Sequence, residues 1–310
     1  MVEAKPGQAR AEPLPYRTKS SCGEENAVEI LAHAKLNLTL DVLGSRPDGY
    51  HDLRMIMQSI ALADAVTLKR REPAGVRVYT NLHFLPGDEK NLAAQAALRY
   101  WEALGKEPWG LEITIDKRIP VCAGMAGGSS DGAAVLRALN AMEGEPMSPL
   151  ELARVGERVG SDVPYCVLGG TALAEGRGEV LTPLPSLPKC WVVLCKPEFS
   201  ISTPALFAKI DSVRLRCRPD TRGVIAALEA GDLTGVARRM YNVFEDALPS
   251  HRRSRVNDIK NILIQCGALG ASMSGTGPTA FGLFDDEGLA QEARERLADF
   301  GGEVFLTQTV

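Results

Sequence analysis

The chain contains no run approaching the roughly 20 consecutive apolar residues of a membrane-spanning helix, so no membrane partner is expected. It also lacks a large excess of either charge. Its 35 Lys and Arg stand against 39 Asp and Glu, a formal net charge of -4. That balance argues against a strongly basic nucleic-acid binder and leaves room only for a local cationic patch. A disulfide framework is missing too: the seven cysteines are odd in number and irregularly spaced, which fits free thiols in a reducing cytoplasm. Cys190 and Cys195 flank a short apolar run, where strand alternation puts them on opposite faces and argues against a shared disulfide or metal. Residues 1–26 hold no apolar core of a secretory signal, and Glu3, Glu12, Glu24 and Glu25 are out of keeping with a plastid transit peptide. A disordered tail is the expectation for that stretch. Repeats of fixed period are also missing.

What remains is a globular composition, 45% hydrophobic and 24% charged, in 310 residues. At about 150 residues per domain this length fits two domains or one large one. The periodicity predicts a strand or hairpin at 28–42, a turn cluster at 44–49 and a second strand region at 55–68. A helix is expected at 91–104, an alternating strand at 111–115, a loop at 119–132 and a helix at 133–142. Ser148-Pro149-Leu150-Glu151 reads as a capping box with Pro in the first turn, opening a helix that ends at a left-handed Gly160. Pro183, Pro185 and Pro188 mark the best boundary, giving units at 27–185 and 186–310. Beyond it come a strand at 191–195, helices between 203 and 265, a strand–turn–strand at 268–284, a helix at 289–300 and a strand at 303–307. This mixed order points to an α+β fold rather than a doubly wound parallel sheet.

Many of the 30 glycines bunch at two places, 124–132 and 267–277. In the first, Gly124, Gly127, Gly128, Ser129 and Ser130 precede a helix. Bare backbone lets an oxyanion approach, and the free N–H groups and dipole of a helix start favour phosphate. No Gly-Lys-Ser/Thr follows, so this is not a Walker loop, and the spacing also fails the dinucleotide fingerprint. Gly128-Ser129-Ser130-Asp131-Gly132 does fit the G-x-S-x-G of a hydrolase nucleophile elbow, with Asp162 and His251 following in a triad order. An elbow needs its strand to run straight into the Ser, whereas Pro120 and a glycine run intervene here.

Three motifs together resemble the GHMP kinase superfamily, over about residue 29 to the C-terminus. They are Ala34-Lys35-Leu36-Asn37-Leu38 with Arg46-Pro-Asp-Gly-Tyr50-His51, then Pro120 to Asp131, then Met273 to Thr279. Asp-Gly-Tyr-His and Gly160-Ser-Asp-Val-Pro164 are similar to the branch of non-mevalonate isoprenoid synthesis that acts on a cytidine diphosphate-linked methylerythritol. Ala126 stands where that pattern has Gly, and Gly132 where it has Ala. The resemblance implies a two-domain α+β kinase, with a ribosomal-S5-like N-terminal domain, a ferredoxin-like C-terminal domain and ATP and substrate meeting between them. It implies Asp162 as general base and Lys35 as the cation that keeps Asp162 ionised and stabilises the transferred phosphoryl. Pro120, Gly124, Ala126, Gly127, Gly128, Ser129 and Ser130 would hold ATP phosphates, with Asn91, Leu92 and Lys117 at the adenine. Asn37, Tyr50, His51, Thr203 and Phe207 would bind substrate, the aromatic rings sandwiching the base. Ser274, Gly275, Thr276 and Gly277 would form a second glycine turn near the phosphates. Mg²⁺ is expected to arrive with ATP, since the sequence shows no dedicated metal cage. Two rival readings stay open: another small-molecule kinase of the superfamily, acting on homoserine, mevalonate or a sugar, or a non-catalytic nucleotide-binding module.

Overall fold

The computed structural model describes residues 27–310; the tail expected at 1–26 lies outside the described residues. The strands are β1 (Ala27–Ser45), β2 (His51–Arg70), β3 (Val76–Thr80), β4 (Leu111–Asp116), β5 (Thr171–Gly176), β6 (Val180–Pro183), β7 (Trp191–Lys196), β8 (Tyr241–Asn242), β9 (Gly270–Met273), β10 (Ala280–Phe284) and β11 (Glu303–Gln308). The helices of the first half are α1 (Leu92–Leu104), α2 (Gly127–Met142), α3 (Pro149–Glu157) and α4 (Val163–Leu168). Those of the second half are α5 (Thr203–Ile210), α6 (Thr221–Glu229), α7 (Leu233–Arg238), α8 (Phe244–Ala247), α9 (Ser250–Gln265) and α10 (Glu287–Ala298).

Two sheets organise the chain. A seven-stranded sheet runs β3-β4-β2-β1-β8, and β5 and then β6 extend it from the other half of β2. The 20-residue β2 pairs along β1, while on its other edge residues 53–58 take β5 and residues 65–70 take β4. A four-stranded antiparallel sheet runs β11-β7-β10-β9. The short β8 belongs by sequence to the second half and yet pairs with β1, and Thr309 bridges back to Ile60. The two halves of the chain are therefore stitched together by backbone hydrogen bonds as well as by packing. Cys190 and Cys195 fall in different apolar clusters, as opposite strand faces require.

The centre of β1 departs from simple alternation. Ile30, Ala32, Leu40 and Val42 join one apolar cluster, but Ala34, Leu36 and Leu38 join the other. Register irregularities at His33/Lys35 and Asn37/Thr39 bracket the exchanged segment. Bulges of this kind re-aim side chains. Here they turn Lys35 and Asn37 toward the side that Ile30 and Val42 occupy elsewhere in the strand. Lys35 is thus buried, not on a solvated face.

Two local expectations are corrected. Residues 127–132 are helix, not loop: α2 begins at Gly127. Gly and Ser are poor helix formers, but only small residues fit where α2 meets α1. A Cβ on Gly128 would lie 3.3 Å from a Leu92 methyl, and Gly132 already lies against the Leu92 carbonyl. The Ala-rich buried face of α1 allows the same close approach. Gly160 is not in the left-handed region; α3 stops at Glu157 and its C-cap is Arg158. The capping box at Ser148 and Glu151 is present in full.

Candidate active site

Two adjoining cavities meet at the glycine loop. The larger, about 860 Å³, is lined by Lys35, Tyr50, His51, Asp162, Arg177 and Phe207 among others. The smaller, about 540 Å³, is lined by Asn91, Leu92, Lys117, Pro120 and residues 121–129 of the glycine loop. Cys122, Gly124, Ala126, Ser129 and Thr203 line both. The loop and Thr203 of α5 thus form a wall common to both cavities.

The loop is held in shape by its neighbours. Gly124 has φ +76°, and a Cβ there would fall 2.2 Å from the Ser274 carbonyl oxygen. The Ser274 hydroxyl donates to the Gly124 carbonyl at 2.9 Å. The Thr203 and Thr276 hydroxyls share a 2.8 Å hydrogen bond that ties α5 to the second glycine turn. That turn is held from below as well: the Asn242 amide donates to the carbonyls of Met273 and Gly275, each at 2.7 Å.

Ala126 is the N-cap residue of α2, in left-handed conformation at φ 57° and with no side-chain cap. First-turn N–H groups of a 16-residue helix are left for an anion rather than for a capping oxygen. A left-handed alanine costs about 1–2 kcal/mol relative to an unstrained one. Ala126→Gly is therefore expected to raise stability by up to about 1 kcal/mol, after the entropy of the freer unfolded chain is subtracted. Urea unfolding of the two proteins checks it; a destabilised variant contradicts it.

The two serines separate. Ser129 lines both cavities, whereas Ser130 is buried and its hydroxyl donates to the His33 carbonyl. The nucleophile-elbow reading fails for the same reason. Ser130 lies inside a helix and lines neither cavity, and His251 lies exposed on α9.

Lys35 and Asp162 face the same cavity, but no ion pair joins them among the described residues. The Lys35 ammonium donates instead to Asn37 Oδ1 at 2.6 Å. The same oxygen accepts the Gly275 N–H at 2.9 Å, so Asn37 couples Lys35 to the second glycine turn. Asn37 is fully buried and lines neither cavity. Its carbonyl oxygen thus acts as a brace between Lys35 and that turn. Asp162 occupies the N-cap position of α4 without capping it, which leaves its carboxylate free to face the cavity.

Lys117 lines the smaller cavity, and its ammonium is held beneath the start of α2. Its ammonium bonds to Asp64 and, at 2.7 Å, to Asp131, and all three groups are buried. Asp64 also accepts the N–H groups of Arg118 and Ile119. The triad thus joins β2, the entry to the loop and the first turn of α2. Burial lowers the Lys117 pKa, but the two carboxylates outweigh it and leave it raised. Asp131 is raised chiefly by burial, against the pull of Lys117, with Asp64 adding to the rise.

At the far end of the larger cavity, Tyr50 is 55% exposed and the Arg177 guanidinium sits 5.4 Å from its ring centroid. Phe207 packs against His51, with ring centroids 5.1 Å apart and tilted by 41°. Phe207 also meets Phe244 edge-on. Sequence reasoning missed Arg177, Asn242 and Asp64. The one signal for Asp64 is an acid between two alanines in an apolar strand.

The comparisons with known proteins follow the same lines. Residues 91–170 match the family described as GHMP kinases N terminal domain, and residues 224–303 the one described as GHMP kinases C terminal. The chain is 43% identical over 282 residues to 4-diphosphocytidyl-2-C-methyl-D-erythritol kinase of Alkaliphilus metalliredigens, covering 91% of this chain and 96% of that protein. It is 42% identical over 283 residues to the enzyme of the same name from Listeria monocytogenes, covering 91% and 95%. A crystal structure of 4-(cytidine 5'-diphospho)-2C-methyl-D-erythritol kinase superposes with a TM-score of 0.75 at 32% identity, over 91% of this chain and 98% of that one. A homoserine kinase from Cytophaga hutchinsonii, at 22% identity, gives 0.74 over 94% and 97% and so shares the fold.

Proposed function

The chain belongs to the GHMP kinases, and within them to the 4-diphosphocytidyl-2-C-methyl-D-erythritol kinases; on that footing we propose how its own residues divide the reaction. It is an ATP-dependent phosphotransferase of non-mevalonate isoprenoid precursor synthesis. We read the smaller cavity as the ATP site and the larger as the site of the cytidyl diphosphate substrate. The observation that carries this reading is the shared wall: the glycine loop and Ser129 line both cavities, with Lys35 and Asp162 on the substrate side.

Phosphoryl transfer depends on positioning and charge stabilisation more than on covalent chemistry. The uncapped start of α2 supplies N–H groups for the phosphates. Asp162 takes the proton of the substrate's 2-hydroxyl as that oxygen attacks the γ-phosphorus. Lys35, held by Asn37, faces the transferred group and offsets its growing charge. The lining fits Mg²⁺ carried by ATP, since Ser129 would offer it one hydroxyl at the junction. When present, such an ion would offset part of the phosphate charge; Mg²⁺ keeps several waters and needs few protein oxygens.

At the other end, Tyr50, His51 and Phe207 suit a pyrimidine, and Arg177 is the cation beside them for the diphosphate-linked part. Tyr50→Ala and Phe207→Ala are expected to raise KM for the cytidyl substrate about tenfold or more, with KM for ATP little changed. Initial-rate kinetics with each substrate varied check this, and equal shifts in both KM values would contradict it. The 2-hydroxyl assignment is tested by phosphorus NMR of the product, where a new phosphomonoester at any other carbon would overturn it. No helix among the described residues is long and apolar enough to cross a membrane. We take the enzyme to work in the cytoplasm, with units meeting near residue 185.

A further inference from the structure

His51 opens β2, is almost fully buried and lines the larger cavity. Its Nε2 lies 3.1 Å from both carboxylate oxygens of Asp211. Asp211 follows the last residue of α5, the helix that carries Phe207. It lines neither cavity itself. The Ser45 hydroxyl donates to Asp211 Oδ2 at 2.7 Å. That bond, followed by the bond from His51, holds the Asp211 carboxyl below its ordinary pKa.

An ionised carboxylate can only accept hydrogen bonds. The proton between the two residues therefore sits on Nε2, and in the neutral form of the ring the lone pair is then on Nδ1. Nδ1 has no protein partner among the described residues, which leaves it as the ring atom available to a ligand. Phe207 fixes the ring from the side while Asp211 fixes it from the end, and both come from one helical segment.

We propose that Asp211 is a positioning residue for base selection: through Nε2–H it holds His51 in the tautomer whose Nδ1 accepts a hydrogen bond, which favours a base edge bearing an amino group over one bearing a carbonyl. Cytosine carries an exocyclic amino group where uracil carries an oxygen. A uridyl substrate would set lone pair against lone pair at Nδ1. This rests on the reading of the larger cavity as the cytidyl site.

The test measures kcat and KM for the cytidyl substrate and its uridyl analogue in the full-length enzyme, with KM for ATP alongside. The Asp211 side chain is 51% exposed, so its truncation leaves no core cavity, and a thermal melt confirms folding. Asp211→Ala is expected to lower the cytidyl-to-uridyl ratio of kcat/KM about tenfold, through KM and not kcat, and to leave KM for ATP unchanged. Asp211→Glu, which keeps an acceptor, is expected to recover part of that ratio. A ratio within about twofold of wild type in a folded Asp211→Ala enzyme would overturn the proposal. So would a rise in KM for ATP equal to that for the cytidyl substrate. His51→Ala separates the two levels of the argument. If it collapses the ratio while Asp211→Ala does not, only the role of Asp211 fails. If neither variant changes the ratio, the reading of His51 as a base-contacting residue fails as well.

Discussion

Asp162→Asn is expected to cut kcat by at least about 100-fold while leaving ATP binding nearly unchanged. The change removes one proton-accepting oxygen and keeps the shape. It should not disturb the fold, because Asp162 makes no cap hydrogen bond to α4 and forms no ion pair with Lys35 among the described residues. Neither does it touch the smaller cavity, whose lining excludes residue 162. A loss of about 100-fold corresponds to roughly 2.7 kcal/mol of transition-state stabilisation. Single-turnover rates, with titration of a non-hydrolysable ATP analogue, separate chemistry from binding. Near-normal turnover would remove Asp162 from the role of base. Loss of ATP affinity in step with turnover would point to a structural defect.

The second large effect is expected at Gly124. A side chain there is excluded twice, by φ +76° and by the Ser274 carbonyl 2.2 Å from the site of a Cβ. Gly124→Ala must push the two glycine turns apart at the wall shared by both cavities. The left-handed strain and the overpacking together are expected to cost about 2–4 kcal/mol of stability. Moving the loop by even about 1 Å would lower turnover by roughly 100-fold in the protein that remains folded. Gly44 is the control, since a Cβ there meets nothing within 4 Å. Gly44→Ala should retain activity and melt near the wild-type temperature. Wild-type turnover in Gly124→Ala would show that the apposition of the two turns is not needed for transfer.

The parts of this fold legible in the sequence are those governed by local rules. Alternation marked β4, and the Ser148 to Glu151 box marked the start of α3. The first turn of α2 was illegible because its Gly and Ser residues disfavour helix locally, and only contact with α1 makes small residues an advantage there. The two-residue β8 carries no periodicity at all, and α4 has only six residues with Pro in its first turn. The same division holds within the site. Gly124 and Ser129 could be found from their motif. Their support could not: Asp64 meets Lys117 across 53 positions, Asn242 reaches Gly275 across 33, and Asp211 reaches His51 across 160. Register irregularities in β1, invisible in composition, decide that Lys35 and Asn37 turn inward. Asn37 could be found from its motif, but its bonds to the Lys35 ammonium and the Gly275 N–H, both made by its carbonyl oxygen, could not.

The most direct test of the central claim is ADP release by the purified enzyme with Mg·ATP and a panel of acceptor alcohols: 4-diphosphocytidyl-2-C-methyl-D-erythritol, homoserine, mevalonate and a simple sugar. The account predicts stoichiometric ADP and phosphorylated product with the cytidyl diphosphate substrate, and background release with the others. Faster release with homoserine or mevalonate, or none with any alcohol while ATP still binds, would contradict it.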